Sequence, residues 1–184
     1  SPFEWNYEGG QSWKPKNYDQ DSPEKVTAAQ ALENSINIPT ARLAQMVGLD
    51  PIIDLLSRAG IQSKIPKIPS ISLGSVEVTP FELAESYSTL ANLGKGHRLQ
   101  SIAKVTDESG NTLYEPKAPE EERLPAASCY LTIQLLKGVL SRGTGRAALA
   151  SGLKVENMAG KTGTTNDYKD AWFVGFTPDL LTLV

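Results

Sequence analysis

Residues 160–165 read Gly-Lys-Thr-Gly-Thr-Thr, and the apolar run Ala-Trp-Phe-Val-Gly-Phe follows at residues 171–176. Aromatic and β-branched residues favour strands, so we predict that this end of the chain forms a sheet packed against the preceding helices. Alternation along a strand sends Lys161 and Gly163 to one face and the neighbouring threonines to the other. The face that carries the lysine therefore has a position without a side chain, where a substrate backbone can approach closely.

Two mechanisms use a lysine among glycines and hydroxyls, and one of them is nucleotide binding. A phosphate-binding P-loop has the pattern G-x-x-x-x-G-K-[ST] and opens a helix. Counting back from Gly160 puts Val155 where the first glycine must be, and residues 166–168 read as a turn before a strand. Because valine resists the tight turn that cradles a phosphate, the pattern argues against a nucleotide site.

The second mechanism places the stretch at the rim of an acyl-transfer site. There Thr164 could offer its amide as an oxyanion donor and its hydroxyl to a substrate carboxylate. One oxyanion donor stabilises a transition state by about 3 kcal/mol. A solvated turn with the same residues explains the motif equally well, so both interpretations stay open on this stretch alone.

Ser35-Ile36-Asn37, just before Pro39, is a second candidate motif. A residue that precedes proline is pushed out of the helical region, so we predict a bend here between two helices. A hydroxyl and an amide could then converge on one cavity, where the hydroxyl relays a proton and the amide holds a substrate carbonyl. The alternative, that both side chains satisfy exposed helix ends, is favoured for this pair considered alone.

Hydrophobic periodicity predicts helices followed by strands, and so an α+β fold. Residues 1–21, rich in aromatics, are predicted to form an ordered loop that packs on a neighbour rather than lining a substrate groove. Residues 64–72 contain two prolines and are predicted to be extended. The predicted helices span 22–34, 39–48, 50–60, 79–94 and 126–140, and the predicted strands before the final sheet span 102–106 and 112–115.

The composition excludes several classes of protein. The chain has 184 residues, 40% of them hydrophobic and 21% charged, as expected of one globular domain. A net charge of −3 lacks the basic footprint of a nucleic-acid binder. One cysteine and one histidine cannot form an internal disulfide or a metal cluster, so neither a metal nor another cofactor is expected. No apolar run reaches about 18 residues, so we expect no membrane span or signal peptide in these residues.

The motifs Ser-x-Asn and Lys-Thr-Gly belong to a three-part set, completed by Ser-x-x-Lys, of the serine acyltransferases that recognise penicillin. The chain resembles the transpeptidase domain of class A, bifunctional penicillin-binding proteins, and the likeness runs through most of its length in the family's order. It implies a penicillin-recognising serine transferase fold, in which an antiparallel sheet is flanked by helices. The resembling segments are residues 31–39, 73–80, 143–146, 159–165 and 170–175.

The resemblance implies catalytic roles for three side chains. Ser35 would belong to the proton-relay network, and Asn37 would bind the donor peptide. Lys161 would supply fixed positive charge close to both. These roles follow from the family, not from composition or spacing.

The resemblance also implies a substrate-binding strand. Thr162 and Thr164 would receive the terminal carboxylate of the donor peptide or that of a β-lactam. Gly163 and Thr165 complete the set of expected substrate-binding positions.

The nucleophile that the resemblance implies is a serine in Ser-x-x-Lys, at the start of a buried helix well before Ser35. Two such strings occur, beginning at Ser22 and Ser101. The first is too near Ser35 and is predicted to be a helix cap; the second comes after that motif, in a strand that would send Ser101 and Lys104 to opposite faces. We therefore expect the nucleophile upstream of residue 1 and the final strands and helix beyond residue 184. Residues 1–184 are then a partial transpeptidase domain, inactive by itself.

For the whole protein, the resemblance implies a D,D-transpeptidase that cross-links peptidoglycan stem peptides and is acylated by β-lactams. The parent would also carry a glycosyltransferase domain and a membrane anchor, with this domain on the periplasmic face of the bacterial inner membrane. Two other hypotheses stay open. A non-catalytic sensor of peptides or β-lactams would keep the pocket but lack Ser-x-x-Lys upstream, and a structural docking domain is favoured only if Lys161 and Ser35 lie far apart.

Overall fold

A computed structural model describes residues 3–18, 25–164 and 171–184. Ser22, with the predicted start of the first helix, and Thr165 lie outside these residues. The fold is α+β, as the sequence predicts: most of the helices come first, and the longest sheet comes last. None of the helices in the described ranges has the length and apolarity needed to cross a bilayer.

The last sheet has three antiparallel strands, β7 (Ala159–Thr164), β8 (Ala171–Phe176) and β9 (Leu181–Leu183). It packs against the long helix α5 (Ala126–Ser141), which confirms the prediction of a final sheet packed against the preceding helices. Since Ala159 pairs with Phe176 and Lys161 with Val174, these side chains share the face that meets the helices. The buried core residues here are Leu136, Val139, Ala159 and Phe176.

The first helix, α1 (Ala28–Glu33), begins later than predicted. Thr27 accepts a hydrogen bond from the Gln30 amide, and the Gln30 side chain accepts one from the Thr27 amide. This reciprocal cap satisfies two amides that a helix start leaves unpaired, and so it fixes the start at Ala28. Val26, which falls within the predicted helix 22–34, precedes the observed helix instead.

The N-terminal aromatic segment is a hairpin rather than the predicted loop. Its strands are β1 (Trp5–Tyr7) and β2 (Gln11–Trp13), joined by a 3-10 turn at Glu8–Gly10. Phe3 and Trp5 are buried with Ala41 and Ala44 against the helix that spans residues 37–47, so the predicted packing on a neighbour is confirmed. The prediction missed the hairpin because no alternation marks so short a pair of strands.

Helix α2 (Asn37–Val47) starts two residues before the predicted position, and α3 (Leu49–Ala59) follows after Gly48 alone. Pro39 is compatible with the first turn because the amide it lacks would have no partner there. The bend predicted from Pro39 is therefore wrong in its cause: Ile38, the residue before it, is helical. Asp50 lies in the first turn of α3 instead of capping it, and Gly60 ends that helix as predicted, at a φ of 128°.

Helix α4 (Pro80–Ala91) begins with a capping box, in which Thr79 and Glu82 bond each other's amides. Glu82 also accepts hydrogen bonds from the Gln62 and Ser63 amides and from the Ser63 hydroxyl. These donors, led by the Thr79 amide, lower the pKa of Glu82 to about 2. The carboxylate thus ties the turn after α3 to the start of α4.

The remaining elements are short. The predicted hairpin is confirmed as β4 (Val105–Thr106) and β5 (Thr112–Tyr114), while β3 (Lys95–Gly96) pairs with β6 (Glu121–Glu122). Pro69–Leu73 form a 3-10 helix within a segment predicted to be wholly extended, and α6 (Ala147–Ala150) follows α5. Three apolar side chains on the helices are about half exposed or more, namely Leu55, Phe81 and Leu131 at 50%, 49% and 64%.

Glu33, at the end of α1, is a buried carboxylate with only 3% of its surface exposed. Arg142 donates to both of its oxygens, from Nε at 2.8 Å and from Nη2 at 2.5 Å. The carboxylate lies against α5 at Gly138, where a Cβ would meet Oε1 of Glu33 at 2.1 Å. This glycine therefore makes room for the ion pair that joins α1 to α5.

We predict that Gly138→Ala destabilises the domain, although alanine is the better helix former by about 1 kcal/mol. The added methyl group cannot fit while Arg142 holds Glu33 in place, and overpacking of this kind costs about 1–3 kcal/mol. We expect the variant to unfold at a lower urea concentration than wild type, as measured by tryptophan fluorescence. Ser128→Ala, at an exposed position of the same helix, is the control and should leave the midpoint unchanged or raise it. A midpoint at or above wild type for Gly138→Ala would contradict this account.

A second prediction concerns acid stability. The pKa of Glu82 is about 2 in the folded chain, against an ordinary value of 4.5. Its ionised carboxylate therefore contributes fully to the stability of the fold above about pH 4.5, and this contribution is lost as the pH falls toward 2. Glu82→Gln, which cannot titrate, should lose less stability than wild type between neutral pH and about pH 3. Urea midpoints at the two pH values measure the difference, with the exposed Glu108→Gln as control. Equal acid losses in wild type and Glu82→Gln would show that another carboxylate dominates.

Candidate active site

Ser35 and Lys161, which are 126 positions apart, are in direct contact. Nζ of Lys161 donates a hydrogen bond to Oγ of Ser35 and another, of 2.9 Å, to the carbonyl of Thr162. The ammonium thus spans the space between the segment that precedes α2 and the strand β7. A structural docking domain was favoured only if Lys161 and Ser35 lie far apart, and this contact shows that they do not.

Lys161 is half buried, and its burial lowers the pKa of the ammonium below the ordinary value of 10.5. Burial disfavours the charged form because it strips water from the ammonium. The hydroxyl and carbonyl that Nζ contacts replace part of that water. A cation held in this way exerts a stronger field on a neighbouring ligand than a solvated one.

Ser35 occupies the left-handed region, with a φ of 53°. Its amide donates to the Leu32 carbonyl, and the amide of Ile36 donates to that of Ala31 at 2.8 Å. These two bonds are the Schellman arrangement that ends many helices, normally with glycine where Ser35 stands. A serine here costs about 1–2 kcal/mol, so the hydroxyl is presented from a strained backbone. The bend around Ser35 is the end of α1, and not an effect of Pro39.

Asn37 is fixed by the N-terminal segment. Its Nδ2 donates to the Lys16 carbonyl at 2.8 Å, and the neighbouring Ile38 amide donates to Oδ1 of Asn17 at 2.9 Å. Asn17 thereby caps an amide of the first turn of α2 from outside the helix. One of the two amide protons of Asn37 is therefore directed at a carbonyl of the N-terminal segment, and not at an exposed helix end as the alternative interpretation supposed.

Among the residues that the structure describes, β7 pairs with a strand on one side only, so its other backbone edge is open to this site. Phe173 of β8 exchanges both of its main-chain hydrogen bonds with Val184, so its polar groups point away from β7. Thr162, which lies opposite Phe173, therefore directs its own amide and carbonyl to the open side, and alternation gives Thr164 the same orientation. The amide of Thr164 thus points away from β8, toward the open side.

A cavity of about 1090 Å³ joins these groups. Its polar side contains the Ser35 hydroxyl and the Lys161 ammonium. Its apolar side is lined by side chains from the segment before α4 and from α4 itself, among them Val76, Val78 and Leu83. All of the predicted site residues that the structure describes line it: Ser35, Asn37, Lys161, Thr162, Gly163 and Thr164.

Gly163 lies opposite Trp172, and a Cβ on it would stand 3.5 Å from Cβ of Trp172, an ordinary contact distance. The residue is exposed, so the missing side chain leaves the face beside Lys161 uncovered. The backbone of an incoming ligand can therefore approach β7 at this position.

Thr144, in the turn after α5, was missed as a site residue by the sequence reasoning. Its Oγ1 lies 2.8 Å from Oγ1 of Thr162, and its amide donates to the Glu33 carbonyl at 3.0 Å. The only sequence signal was the stretch Gly-Thr-Gly-Arg at 143–146, interpreted as the end of a helix and as part of the family likeness.

The second Ser-x-x-Lys string does not lie at the site. Ser101 and Lys104 are both exposed, in the irregular segment before β4, and neither lines the cavity. Ser101 was predicted to flank a strand from 102 to 106, whereas β4 begins only at Val105.

The assembled groups suit acyl transfer chemistry. The Ser35 hydroxyl accepts a hydrogen bond from the Lys161 ammonium and can still donate its own proton, as a proton relay requires. The open edge of β7 offers amides to a developing oxyanion, and the threonine hydroxyls suit a carboxylate.

Comparison with known proteins identifies the family. The family described as Penicillin binding protein transpeptidase domain matches residues 3–181. Penicillin-binding protein 1B of Haemophilus influenzae is 34% identical over 175 residues, 95% of this chain and 22% of that protein. Penicillin-binding protein 1A of Aquifex aeolicus is 39% identical over 173 residues, 94% of this chain and 23% of that protein. The chain thus spans less than a quarter of the length of these relatives.

Solved structures show the same fold. The crystal structure of penicillin-binding protein 1A from Haemophilus influenzae superposes with a TM-score of 0.85 at 24% identity, covering 100% of this chain and 33% of that one. The penicillin-binding protein PonA1 from Mycobacterium tuberculosis gives a TM-score of 0.78 at 26% identity, covering 100% of this chain and 51% of that one. This chain therefore belongs to the penicillin-binding protein transpeptidase domain family, among the class A penicillin-binding proteins.

Proposed function

We propose that this chain is part of a D,D-transpeptidase that cross-links peptidoglycan stem peptides. The observation that carries the proposal is the contact of Lys161 with Ser35 at the polar side of the cavity, beside the free edge of β7. A serine oxygen attacks the carbonyl of the penultimate D-Ala, and the bond to the terminal D-Ala breaks as its nitrogen takes up a proton. An amine of a neighbouring strand then attacks the serine ester, forms the cross-link and releases the serine.

Three side chains of this chain serve the proton transfers and the binding of the donor peptide. Ser35 relays a proton, and the Lys161 ammonium polarises its hydroxyl while attracting the negative charge that develops on the substrate. Asn37 holds a carbonyl or amide of the donor peptide with the side-chain atoms that Lys16 does not engage.

The strand β7 binds the donor. The hydroxyls of Thr162 and Thr164 receive its terminal carboxylate, and Gly163 leaves room for its backbone. The amide of Thr164 donates to the developing oxyanion. We extend the substrate-binding set to Thr165, which follows in the motif.

We propose that the nucleophile comes from a segment of the protein N-terminal to residue 1, so that residues 1–184 form a partial domain. The apolar side of the cavity supports this, because Val76, Val78, Leu83 and Tyr87 line a space of a size and character suited to a packed helix. The exposure of Ser101 also supports it. The aromatic hairpin at the start of the chain then packs beside the site without taking part in the chemistry.

The parent protein is proposed to be bifunctional, with a glycosyltransferase domain and a membrane anchor. The support is family membership together with the short share of the relatives that this chain spans. The transpeptidase domain would then act on the periplasmic face of the bacterial inner membrane. Its ligands would be stem peptides and β-lactams.

We predict that a fluorescent penicillin labels the full-length protein covalently and does not label residues 1–184 alone. Residues 1–184 alone should stay unlabelled because acylation needs the nucleophilic serine that we propose lies upstream. Gel fluorescence after denaturation measures the label, and peptide mapping locates it. Acylation at Ser22 or Ser101 would contradict the proposed origin of the nucleophile. Release of D-Ala from a pentapeptide that ends in D-Ala-D-Ala separates an enzyme from a non-catalytic sensor.

We predict that Lys161→Ala in the full-length protein lowers the rate of acylation by about 100-fold or more, as the loss of a positioned charge at a developing oxyanion does. The thermal midpoint should stay nearly unchanged, because the variant also removes the desolvation of a half-buried ammonium. Lys64→Ala is the matched control, since Lys64 is exposed at the rim of the same cavity. A collapse of the midpoint would mean that Lys161 is structural.

A further inference from the structure

The hydroxyls of Thr144 and Thr162 form a pair at the edge of the cavity, 2.8 Å apart, and either one can be the donor. Thr144 belongs to neither of the motifs discussed above. It is exposed and contributes no apolar side chain to the core. Its position therefore needs an explanation other than packing.

The turn that carries Thr144 is held rigidly against Glu33. The Thr144 amide donates to the Glu33 carbonyl at 3.0 Å, and Arg142 binds both oxygens of the Glu33 carboxylate. Gly143 permits this approach, because a Cβ there would meet the Glu33 carbonyl oxygen at 2.2 Å. The hydroxyl of Thr144 is thus aimed by a backbone that cannot shift easily.

The proton count of the pair decides its direction once a carboxylate is bound. A threonine hydroxyl has one proton to donate, and a carboxylate only accepts. If Thr162 donates its proton to a substrate carboxylate, its bond with Thr144 must run from Thr144 to Thr162. A hydroxyl that accepts one hydrogen bond is a stronger donor in the next, because the two bonds polarise each other.

We propose that Thr144 is a positioning residue for the carboxylate-binding hydroxyl of Thr162. It donates its proton to Oγ1 of Thr162, fixes the rotamer of that side chain and directs the Thr162 proton toward the ligand carboxylate. Ser35 lies only two residues after Glu33 in the chain. The contacts that hold the Thr144 turn against Glu33 therefore also set the distance between the carboxylate site and the Ser35 side of the cavity. This inference rests on the proposed function, in which β7 receives a carboxylate.

The test uses the full-length protein with a penicillin that has a free carboxylate and with the methyl ester of the same penicillin. The second-order rate constant of acylation is measured for each, and their ratio reports the recognition of the carboxylate. Thr144→Val keeps the shape and removes the hydroxyl, so the ratio should fall about tenfold while the rate with the ester stays at the wild-type value. Thr144→Ser keeps a hydroxyl and should restore most of the ratio.

Two controls give the result its meaning. Thr182→Val replaces an exposed threonine of β9 and should change neither rate constant. In a Thr162→Val background, Thr144→Val should have no further effect on the ratio, since the hydroxyl it orients is absent.

The failures of the two proposals are distinguishable. If the wild-type protein is not acylated by either penicillin, the proposed function fails. If it is acylated and Thr144→Val keeps the wild-type ratio, the role of Thr144 is wrong. Equal losses with the acid and the ester, together with a lower thermal midpoint, would make Thr144 a purely structural residue and would also overturn the proposal.

Discussion

The buried carboxylate of Glu33 is the point on which the arrangement of the site depends. Its oxygens receive the Arg142 guanidinium, its main-chain carbonyl receives the Thr144 amide, and two residues later the chain reaches Ser35. A charge with 3% exposure is stable in a protein only when it is paired and hydrogen bonded. The pairing that makes its burial tolerable also locks α1, α5 and the turn after α5 together, and the segment that carries Ser35 at the polar side of the cavity follows directly from α1.

The site combines two locally unfavourable features that the surrounding structure sustains. Ser35 takes a backbone conformation better suited to glycine, and Lys161 gives up part of its hydration. Each is a cost in free energy that a packing role would not require, and such costs concentrate at functional sites. The segment that follows the N-terminal hairpin also contributes, since Lys16 and Asn17 hold the start of α2 through bonds to Asn37 and Ile38.

The sequence predicted those helices and strands whose formation depends on residues close together in the chain. The capping box at Thr79 and the long helix α5 have short-range determinants, so their sequences were sufficient, and the alternation in β7 correctly separated Lys161 from Thr162. Long-range contacts could not be predicted in the same way. A glutamate such as Glu33 reads as a solvent-facing helix residue until Arg142, 109 positions later, is folded against it. The contact of Thr144 with Thr162 likewise depends on how the turn after α5 meets the sheet. The motifs identified Ser35 and Lys161 only through family resemblance, and their contact required the fold.

The open edge of β7 has a consequence for how the site can change over evolutionary time. Every residue type except proline carries both a backbone amide and a carbonyl, so a side-chain replacement on the strand other than by proline leaves these contacts chemically intact. Substitutions that weaken the binding of a ligand to this edge must therefore displace or twist the strand, or change the residues around it. Any such displacement would also affect the donor peptide proposed above to bind the same backbone groups, which would restrict the routes to escape.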